Sequence, residues 1–280
     1  VTIALTMIVK DEAEVLPRSL PIAREMIDSW VILDTGSTDD TDEVIFDLLD
    51  GIPGELHKTE WSDFATTRNQ LIELAQGAET PADWMLTIDA DMHVEFHDDL
   101  IGWLQRDPCP EVDAWMVDIL EGGVRWQRPC LIRTTYPWEY VGVVHEYLDT
   151  SEAFLRPLLG LTLHHHGRPA SEGKWQMYVD LLQPEADAGS PRAVFYLAET
   201  LRIMGRIDEA IEQYERRAQM GNWEEEAWYS AYFAARMRRD VPALLAAHER
   251  RPWRPEPLRW AARIVTEGGA GNDILFIEQS

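Results

Sequence analysis

Cysteine is nearly missing from these 280 residues: Cys109 and Cys130 are the only two, and they form no C-x-x-C pair. Two thiols cannot staple a secreted scaffold or build a zinc ribbon, so a reducing, cytoplasmic setting is expected. Lysine is almost as scarce, with Lys10, Lys58 and Lys174 the whole complement among 25 basic residues. The other cations are arginines, whose planar fork suits phosphate wherever one has to be held. Long apolar runs are absent too: no stretch approaches the roughly 18 uninterrupted apolar residues of a membrane span, and the chain enters a strand-like pattern at once, so neither a span nor a signal peptide is expected. Positive charge is in deficit, with 50 Asp and Glu against 25 Lys and Arg and a formal net charge of −25. Such a surface repels nucleic-acid phosphates and anionic lipid headgroups, which speaks against direct DNA binding.

What is present is enough for a real core. The chain is 45% hydrophobic and 27% charged, which fits one large domain or two smaller ones. The acidity is lopsided: residues 1–150 carry 31 Asp and Glu against 9 Lys and Arg, net −22, whereas residues 151–280 carry 19 against 16, net −3.

Up to about residue 105, short β-rich runs alternate with helix-length amphipathic ones, the pattern of a parallel sheet with crossover helices. Strands are expected at Val1–Val9, Trp30–Leu33, Glu55–Thr59 and Trp84–Ile88, with helices over Asp11–Ile27, from the turn after Asp34 to Leu49, and over Asp63–Gln76. Pro17 and Pro21 should make the first helix irregular at its start. Val112–Leu120 and Val124–Arg133, joined by Glu121-Gly122-Gly123, then read as an antiparallel hairpin, and Leu158–His166 as a last strand. From Pro191 the strand signals stop and an internal repeat begins. Ala193-Val-Phe-Tyr-Leu-Ala, Ala227-Trp-Tyr-Ser-Ala-Tyr and Ala261-Ala-Arg-Ile-Val recur every 34 residues, the period of a tetratricopeptide unit. The second copy has Arg239 where the first has its turn glycine, Gly205. The expected organisation is an α/β domain over 1–185, helical repeats over 191–265 and a tail over 266–280.

Asp89-Ala-Asp91 closes the fourth strand, where the chain leaves the sheet. Two carboxylates one residue apart at a strand's carboxyl end can meet a hard divalent cation and, through it, a diphosphate; otherwise one caps a helix and the other is solvated. Asp34 ends the second strand and can accept a hydrogen bond from a nucleobase imide or a ribose, whereas Gly36–Asp40 reads as an ordinary capped loop. Lys10-Asp11-Glu12 ends the first strand, with Glu12 the better candidate for ribose hydroxyls, or else both acids simply favour the positive end of the next helix. Arg68, isolated among acids between Lys58 and Arg106, is either a salt-bridge partner or a diphosphate clamp.

Leu5-Thr-Met-Ile-Val-Lys-Asp-Glu, Val31-Ile-Leu-Asp-Thr-Gly-Ser-Thr-Asp, Trp61-Ser-Asp-Phe-Ala-Thr-Thr-Arg-Asn and Asp83-Trp-Met-Leu-Thr-Ile-Asp-Ala-Asp, in this order over about 90 residues, resemble the family-2 glycosyltransferases of GT-A fold. The Asp-Thr-Gly-Ser-Thr-Asp motif with a helical-repeat tail is similar to a bacterial branch that glycosylates peptides, proteins or surface glycans and includes the sublancin S-glycosyltransferase. The resemblance implies a Rossmann-like mixed sheet and a transferase that moves a hexosyl or N-acetylhexosaminyl group from a nucleotide-diphosphate donor, UDP-linked. It implies Asp34 on the base, Glu12 near the ribose, Arg68 near the phosphates, Asp91 on Mn²⁺ or Mg²⁺ and Asp89 beside the donor sugar. Asp11 stands where the branch usually has Asn, and Met92-His93 where an acid commonly follows.

The second half should supply the acceptor side. Tyr140-Val-Gly-Val-Val-His145-Glu146 resembles the branch's Gly…His-Glu segment, and an inverting transfer needs a base for the acceptor proton. Glu146 is the candidate and His145 the next, with a structural pair at a strand end as the alternative. In the related enzymes a His-x-Gly with a Lys further on lies near the donor diphosphate, which selects His165 as a metal or phosphate contact and Lys174 as its companion. Three consecutive histidines also raise a zinc site, yet alternate strand residues point to opposite faces, so at most His164 and His166 share a side. Trp126, Trp138 and Tyr140 lie where an acceptor would be met, and aromatic faces stack on sugar rings. The repeats are expected to dock an acceptor or to form a homodimer. Three other readings compete: transfer to a modified DNA base, which the charge disfavours; a sugar nucleotidyltransferase, which would need a basic glycine-rich loop after the first strand; and an inactive repeat scaffold.

Overall fold

The computed structural model describes residues 1–79, 81–97, 100–106, 109–166 and 173–267. The chain divides into two compact units, Val1–Pro169 and Ala170–Ser280. In the second unit the helix after Gly173 packs on the helix that follows it.

The first unit is built on strands β1 (Ile3–Val9), β2 (Ser29–Asp34), β3 (Gly54–Lys58), β4 (Trp84–Thr87), β5 (Met92–Phe96), β6 (Ala114–Glu121), β7 (Val124–Arg133) and β10 (Leu155–His165). They form one mixed eight-stranded sheet in the order β3-β2-β1-β4-β7-β6-β10-β5. β1, β2, β3 and β4 run parallel; β7 is antiparallel to both β4 and β6, β10 is parallel to β6, and β5 is antiparallel to β10. A separate short ribbon joins β8 (Tyr140–Val141) to β9 (Tyr147–Leu148). The helices are α1 (Leu16–Ala23, continued by a 3-10 turn over Arg24–Met26), α2 (Thr41–Leu48), α3 (Phe64–Gln76) and α4 (Leu100–Leu104).

Strand alternation makes two cores. Leu5 and Met7 of β1 and Trp30 and Ile32 of β2 pack with Leu20 of α1, Ile45 of α2 and Leu104 of α4. Val31 and Leu33, the other face of β2, pack with Leu71, Ile72 and Ala75 of α3. Both faces of these strands are therefore buried, which is why they read as nearly continuous apolar runs. The sheet also relies on a missing side chain: a Cβ on Gly54 would lie 2.1 Å from the Trp30 ring.

The first helix and the strand after Asp91 are among the elements that depart from expectation. The first helix begins at Leu16 rather than Asp11, because Pro17 occupies its first turn, where its missing N–H costs nothing, and residues before it bond to the β2–α2 loop instead. β5 was not expected; its five residues follow directly on Asp91, so their alternation is too short to stand out from the motif.

Among the described residues the second unit has helices only: α5 (Lys174–Asp187), α6 (Pro191–Ile203), α7 (Ile207–Ala218), α8 (Glu224–Met237), α9 (Val241–Arg250) and α10 (Glu256–Glu267), each packed on the next. α6–α7 and α8–α9 are the two repeat pairs and α10 opens a third. Among the described residues no helix is long and apolar enough to cross a membrane. Gly167 and nearly all of the expected tail over 266–280 lie outside the described residues.

Candidate functional site

Because β1, β2 and β4 are parallel and adjacent, their carboxyl ends open on one edge of the sheet, and the connections after β1 and β4 leave it toward different neighbours. Such a divergence leaves a crevice that can hold a ligand.

Asp34 ends β2 with no exposed surface. Its Oδ1 accepts from the Gly36 N–H at 3.1 Å, the Ser37 N–H at 2.8 Å and the Ser37 hydroxyl at 2.7 Å. Gly36 reaches this turn with φ of +101°, a conformation that favours glycine. Asp34 Oδ2 is buried without a hydrogen-bond donor, and the Lys58 ammonium stands 3.8 Å from it. A buried carboxylate oxygen left this way is an acceptor awaiting a donor.

Asp11, at φ +53°, spends its side chain on the protein: Oδ1 accepts from the Thr38 N–H at 2.7 Å and its hydroxyl at 3.1 Å. Asp39 receives the Ala13 N–H at 3.2 Å, and the Glu12 N–H donates to the Thr41 hydroxyl at 2.8 Å. These bonds lace the β1–α1 loop to the β2–α2 loop, and they leave Asp11 a structural role.

The chemically dense part of the site lies where α3 meets the β4–β5 connection and β7. Asp63 caps α3 by accepting from the Thr66 N–H at 2.8 Å, and Arg68 follows one turn later. Arg68 Nη2 donates to Asp89 Oδ1 at 2.8 Å, and its Nε donates to Glu146 Oε1 at 2.6 Å. Asp89 Oδ2 accepts from Arg128 Nη2 at 3.2 Å. Burial alone would raise the Asp89 pKa, but Arg68 and Arg128 together hold its carboxyl well below the usual range. Burial works against the charged form of Arg68 as well, yet Asp89, Tyr140 and Glu146 hold its pKa well above the ordinary value.

Asn69, next to Arg68, closes a two-way bond with the Tyr140 backbone: Nδ2 donates to the carbonyl at 2.9 Å and Oδ1 accepts from the N–H at 2.7 Å. Neighbouring side chains of α3 therefore grip both ends of the 140–146 segment, Tyr140 through Asn69 and Glu146 through Arg68. The Arg68 guanidinium also lies over the Tyr140 ring, 5.4 Å from its centroid. His145 is exposed and takes φ of +52°, an unfavourable conformation for a residue with a Cβ, and strain of this kind gathers at functional segments.

Period two separates the three histidines of β10 and its end. His164 pairs with Glu95 and the His166 ring lies 4.4 Å from the His93 ring, both on the side of β5, whereas His165 turns the other way. His165 Nε2 is 3.4 Å from Asp91 Oδ2 and its Nδ1 is 2.9 Å from Glu121 Oε1. The bond to Asp91 outweighs burial and raises the His165 pKa. Among the described residues no three or more His, Cys, Asp or Glu side chains gather as a metal cage. Asp91 and His165 nonetheless fit a divalent cation that takes its remaining ligands from phosphate oxygens and water, while both oxygens of Asp89 are already taken by guanidinium groups.

The aromatic candidates separate. Trp126 is 40% exposed on β7, whereas Trp138 is 7% exposed, donates its indole N–H to the Arg133 carbonyl at 2.8 Å and packs on Tyr136. Trp138 is therefore core rather than an open stacking face, and Tyr140 is half-buried beneath Arg68. Lys174 belongs to the second unit, where its ammonium lies 5.5 Å from the Trp175 ring and 5.4 Å from the Tyr178 ring. Arg128 was missed from sequence. Its signal was faint but present: few basic residues occur in this acidic half, and its neighbours in β7 read only as a hairpin arm.

No protein-family model matches the chain. A TPR repeat-containing protein of Synechococcus elongatus is 41% identical over 90 residues, which are 32% of this chain and 20% of that protein, so the chain spans about a fifth of that relative's length. Among solved structures, Staphylococcus aureus TarS is 11% identical with a TM-score of 0.49, covering 89% of this chain and 55% of that one. TarS residues 1–349 in complex with UDP-GlcNAc give a TM-score of 0.48 at 11% identity, covering 96% and 92%. Glucosyl-3-phosphoglycerate synthase of Mycobacterium tuberculosis, in complex with Mn²⁺, UDP and glucosyl-3-phosphoglycerate, gives 0.32 at 15% identity over 43% of this chain and 45% of that one.

Proposed function

We propose that this chain is a family-2 glycosyltransferase of GT-A type that moves a sugar, with inversion, from a UDP-linked donor to a nucleophile on a protein, peptide or glycan. The observation that carries this reading is the Arg68 bridge, which joins Asp89, expected beside the donor sugar, to Glu146, expected on the acceptor side. One guanidinium thus spans the two groups that a transfer between donor and acceptor has to bring together.

In this reading Asp34 Oδ2 accepts the base N–H that it lacks in the free chain, and Glu12 meets the ribose. Arg68 orients the diphosphate beside Asp89. Asp91 and His165 hold Mn²⁺ or Mg²⁺, whose chemistry is to neutralise the charge that develops on the departing diphosphate. Glu146 takes the acceptor proton as the nucleophile attacks the anomeric carbon opposite the leaving group, with His145 the second candidate. Trp126 and Tyr140 offer faces to an acceptor sugar or side chain, and the helical repeats dock the acceptor or a second copy of the chain.

The direct test is turnover of UDP-sugars with and without Mn²⁺, in the parent chain and in Asp91→Ala. Turnover should require the metal and collapse in the variant. Metal-independent turnover that survives the substitution would sink the metal assignment, and a thermal-shift panel in which no nucleotide-sugar binds would sink the transferase.

A further inference from the structure

Arg128 enters the site from β7, and its contacts do not satisfy it. A guanidinium carries five N–H donors and no acceptor. Arg128 Nη2 reaches Asp89 Oδ2 at 3.2 Å and the Met92 sulfur at 3.2 Å, and Nε reaches the Cys130 sulfur at 3.3 Å. Thioether and thiol sulfurs are weak acceptors, so Asp89 is the one strong partner among these three, and it is shared with Arg68. Arg68 has Glu146 as a second carboxylate. Among the described residues Arg128 has no second carboxylate, and its Nη1 has no acceptor.

The side chain is 26% exposed, against 11% for Arg68. Nη1 is not among the buried unsatisfied atoms of the structure, so these two donors are left open beside Asp89. A cation drawn this far from water is costly to keep unless an anion completes its pairing. Burial opposes its charge, and Asp89 outweighs burial to hold the guanidinium's pKa above the ordinary value. Half a carboxylate is thin compensation for a group that stays charged throughout.

We propose that Arg128 is a second phosphate-binding guanidinium of the donor site, meeting the donor's diphosphate through Nη1 while Nη2 keeps Asp89 in place. The assignment rests on the nucleotide-diphosphate reading above. Two arginines flanking one aspartate then form a forked seat, in which the incoming diphosphate supplies the acceptors that Asp89 alone cannot, and the carboxylate is kept oriented toward the sugar. The competing role is a brace that touches only Asp89. A brace would leave the preference for diphosphate over nucleoside unchanged.

The experiment is titration calorimetry of UDP, UMP and uridine, each with Mn²⁺, and of inorganic pyrophosphate alone, against the full chain and its Arg128→Lys and Arg128→Met variants. Arg128→Met should weaken UDP and pyrophosphate by about 10- to 100-fold, the worth of a hydrogen bond to a charged group, and leave uridine unchanged. Arg128→Lys keeps the charge without the fork and should recover part of the loss. Thermal melting of both variants guards against misfolding, and the lysine form keeps the question answerable if the methionine form fails to fold. A UDP-to-uridine affinity ratio within twofold of the parent in both variants overturns the proposal and leaves Arg128 a brace. Failure of the parent chain itself to bind UDP overturns the nucleotide reading instead.

Discussion

Arg68 Nε and Glu146 Oε1 meet at 2.6 Å although 78 residues separate them in the chain. The pairing brings α3 against the 140–146 segment, and it leaves the Glu146 carboxylate partly engaged. Replacing Glu146 by Gln keeps the bond to Arg68 through the amide oxygen but removes the carboxylate proposed above as the base. Turnover of a UDP-sugar with acceptor should then fall by about 10²- to 10⁴-fold while UDP affinity holds, the loss typical of a missing general base. Arg68→Ala should lower both, since it strips the bridge together with the phosphate contact proposed above. Equal loss of UDP affinity in the two variants would show that Glu146 only holds Arg68 in place.

Asn69 tests the loop rather than the chemistry. Its amide satisfies both the N–H and the C=O of Tyr140, so Asn69→Leu leaves two partly buried backbone groups without this partner. A cost of about 1–3 kcal/mol in urea unfolding is expected. Because Tyr140 begins the segment that carries Glu146, kcat should drop alongside stability, and Asn69→Asp, which can still accept from the N–H, should fall between the two. Unchanged unfolding in Asn69→Leu would mean that the segment is held by other contacts.

How far the site could be read from sequence follows from the range of each interaction. The placement of Asp34 at the end of β2 and of Asp89 and Asp91 just after β4 was legible because strand-to-loop transitions are local signals, and an acid at such a point stands out. His165 came from the His-x-Gly resemblance and not from a local pattern; strand alternation says only that it faces away from His164 and His166. Arg128 was not, since its significance lies in sharing Asp89 with Arg68, and β7 reaches that place only through a sheet order no local pattern encodes. Trp138 failed for the related reason that exposure is a tertiary property: the same residue type can stack on a sugar or close a core, and here its indole N–H is spent on the Arg133 carbonyl. The helical repeats were legible from period, but the extra helix α5 was not, because it precedes the first repeat copy.

The repeat comparison yields a stability prediction. Gly205 and Arg239 sit 34 residues apart at the turns that follow α6 and α8, and both are left-handed, with φ of +76° and +57°. Glycine adopts that conformation freely, whereas a residue with a Cβ crowds its own carbonyl, at a cost of about 1–2 kcal/mol. The Arg239–Glu267 contact at 3.4 Å is exposed on both sides and offsets little of it. Arg239→Gly should therefore stabilise the chain by about 1 kcal/mol, seen as a higher urea midpoint at unchanged slope, and Gly205→Arg should destabilise it by a similar amount. A lower midpoint for Arg239→Gly would show that the arginine side chain contributes more than its backbone strain removes.

The buried pair Arg217–Glu226 makes the opposite kind of test, because here the charges are enclosed. Arg217 is 0% and Glu226 6% exposed, with Nη2 at 2.9 Å from Oε2, and the same guanidinium also donates to the Trp223 carbonyl at 3.1 Å and to those of Met220 and Gly221 at 3.4 Å. Arg217 thus ties the end of α7 to the first turn of α8: it satisfies the loop carbonyls of Met220 and Gly221, and it adds a second bond to the Trp223 carbonyl, which also accepts the Ala227 N–H at 3.2 Å. Removing it strands both a buried carboxylate and those loop carbonyls, so Arg217→Met should cost about 3–5 kcal/mol. Glu226→Gln should cost less, since the amide oxygen still accepts one bond and the guanidinium retains its carbonyl partners. Combining Arg217→Met with Glu226→Leu removes the stranded charge, and the double variant should be more stable than Arg217→Met alone despite carrying one more substitution. If the two losses simply add, the pair is not coupled, and the stability of this turn resides in the carbonyl contacts of Arg217 rather than in its salt bridge.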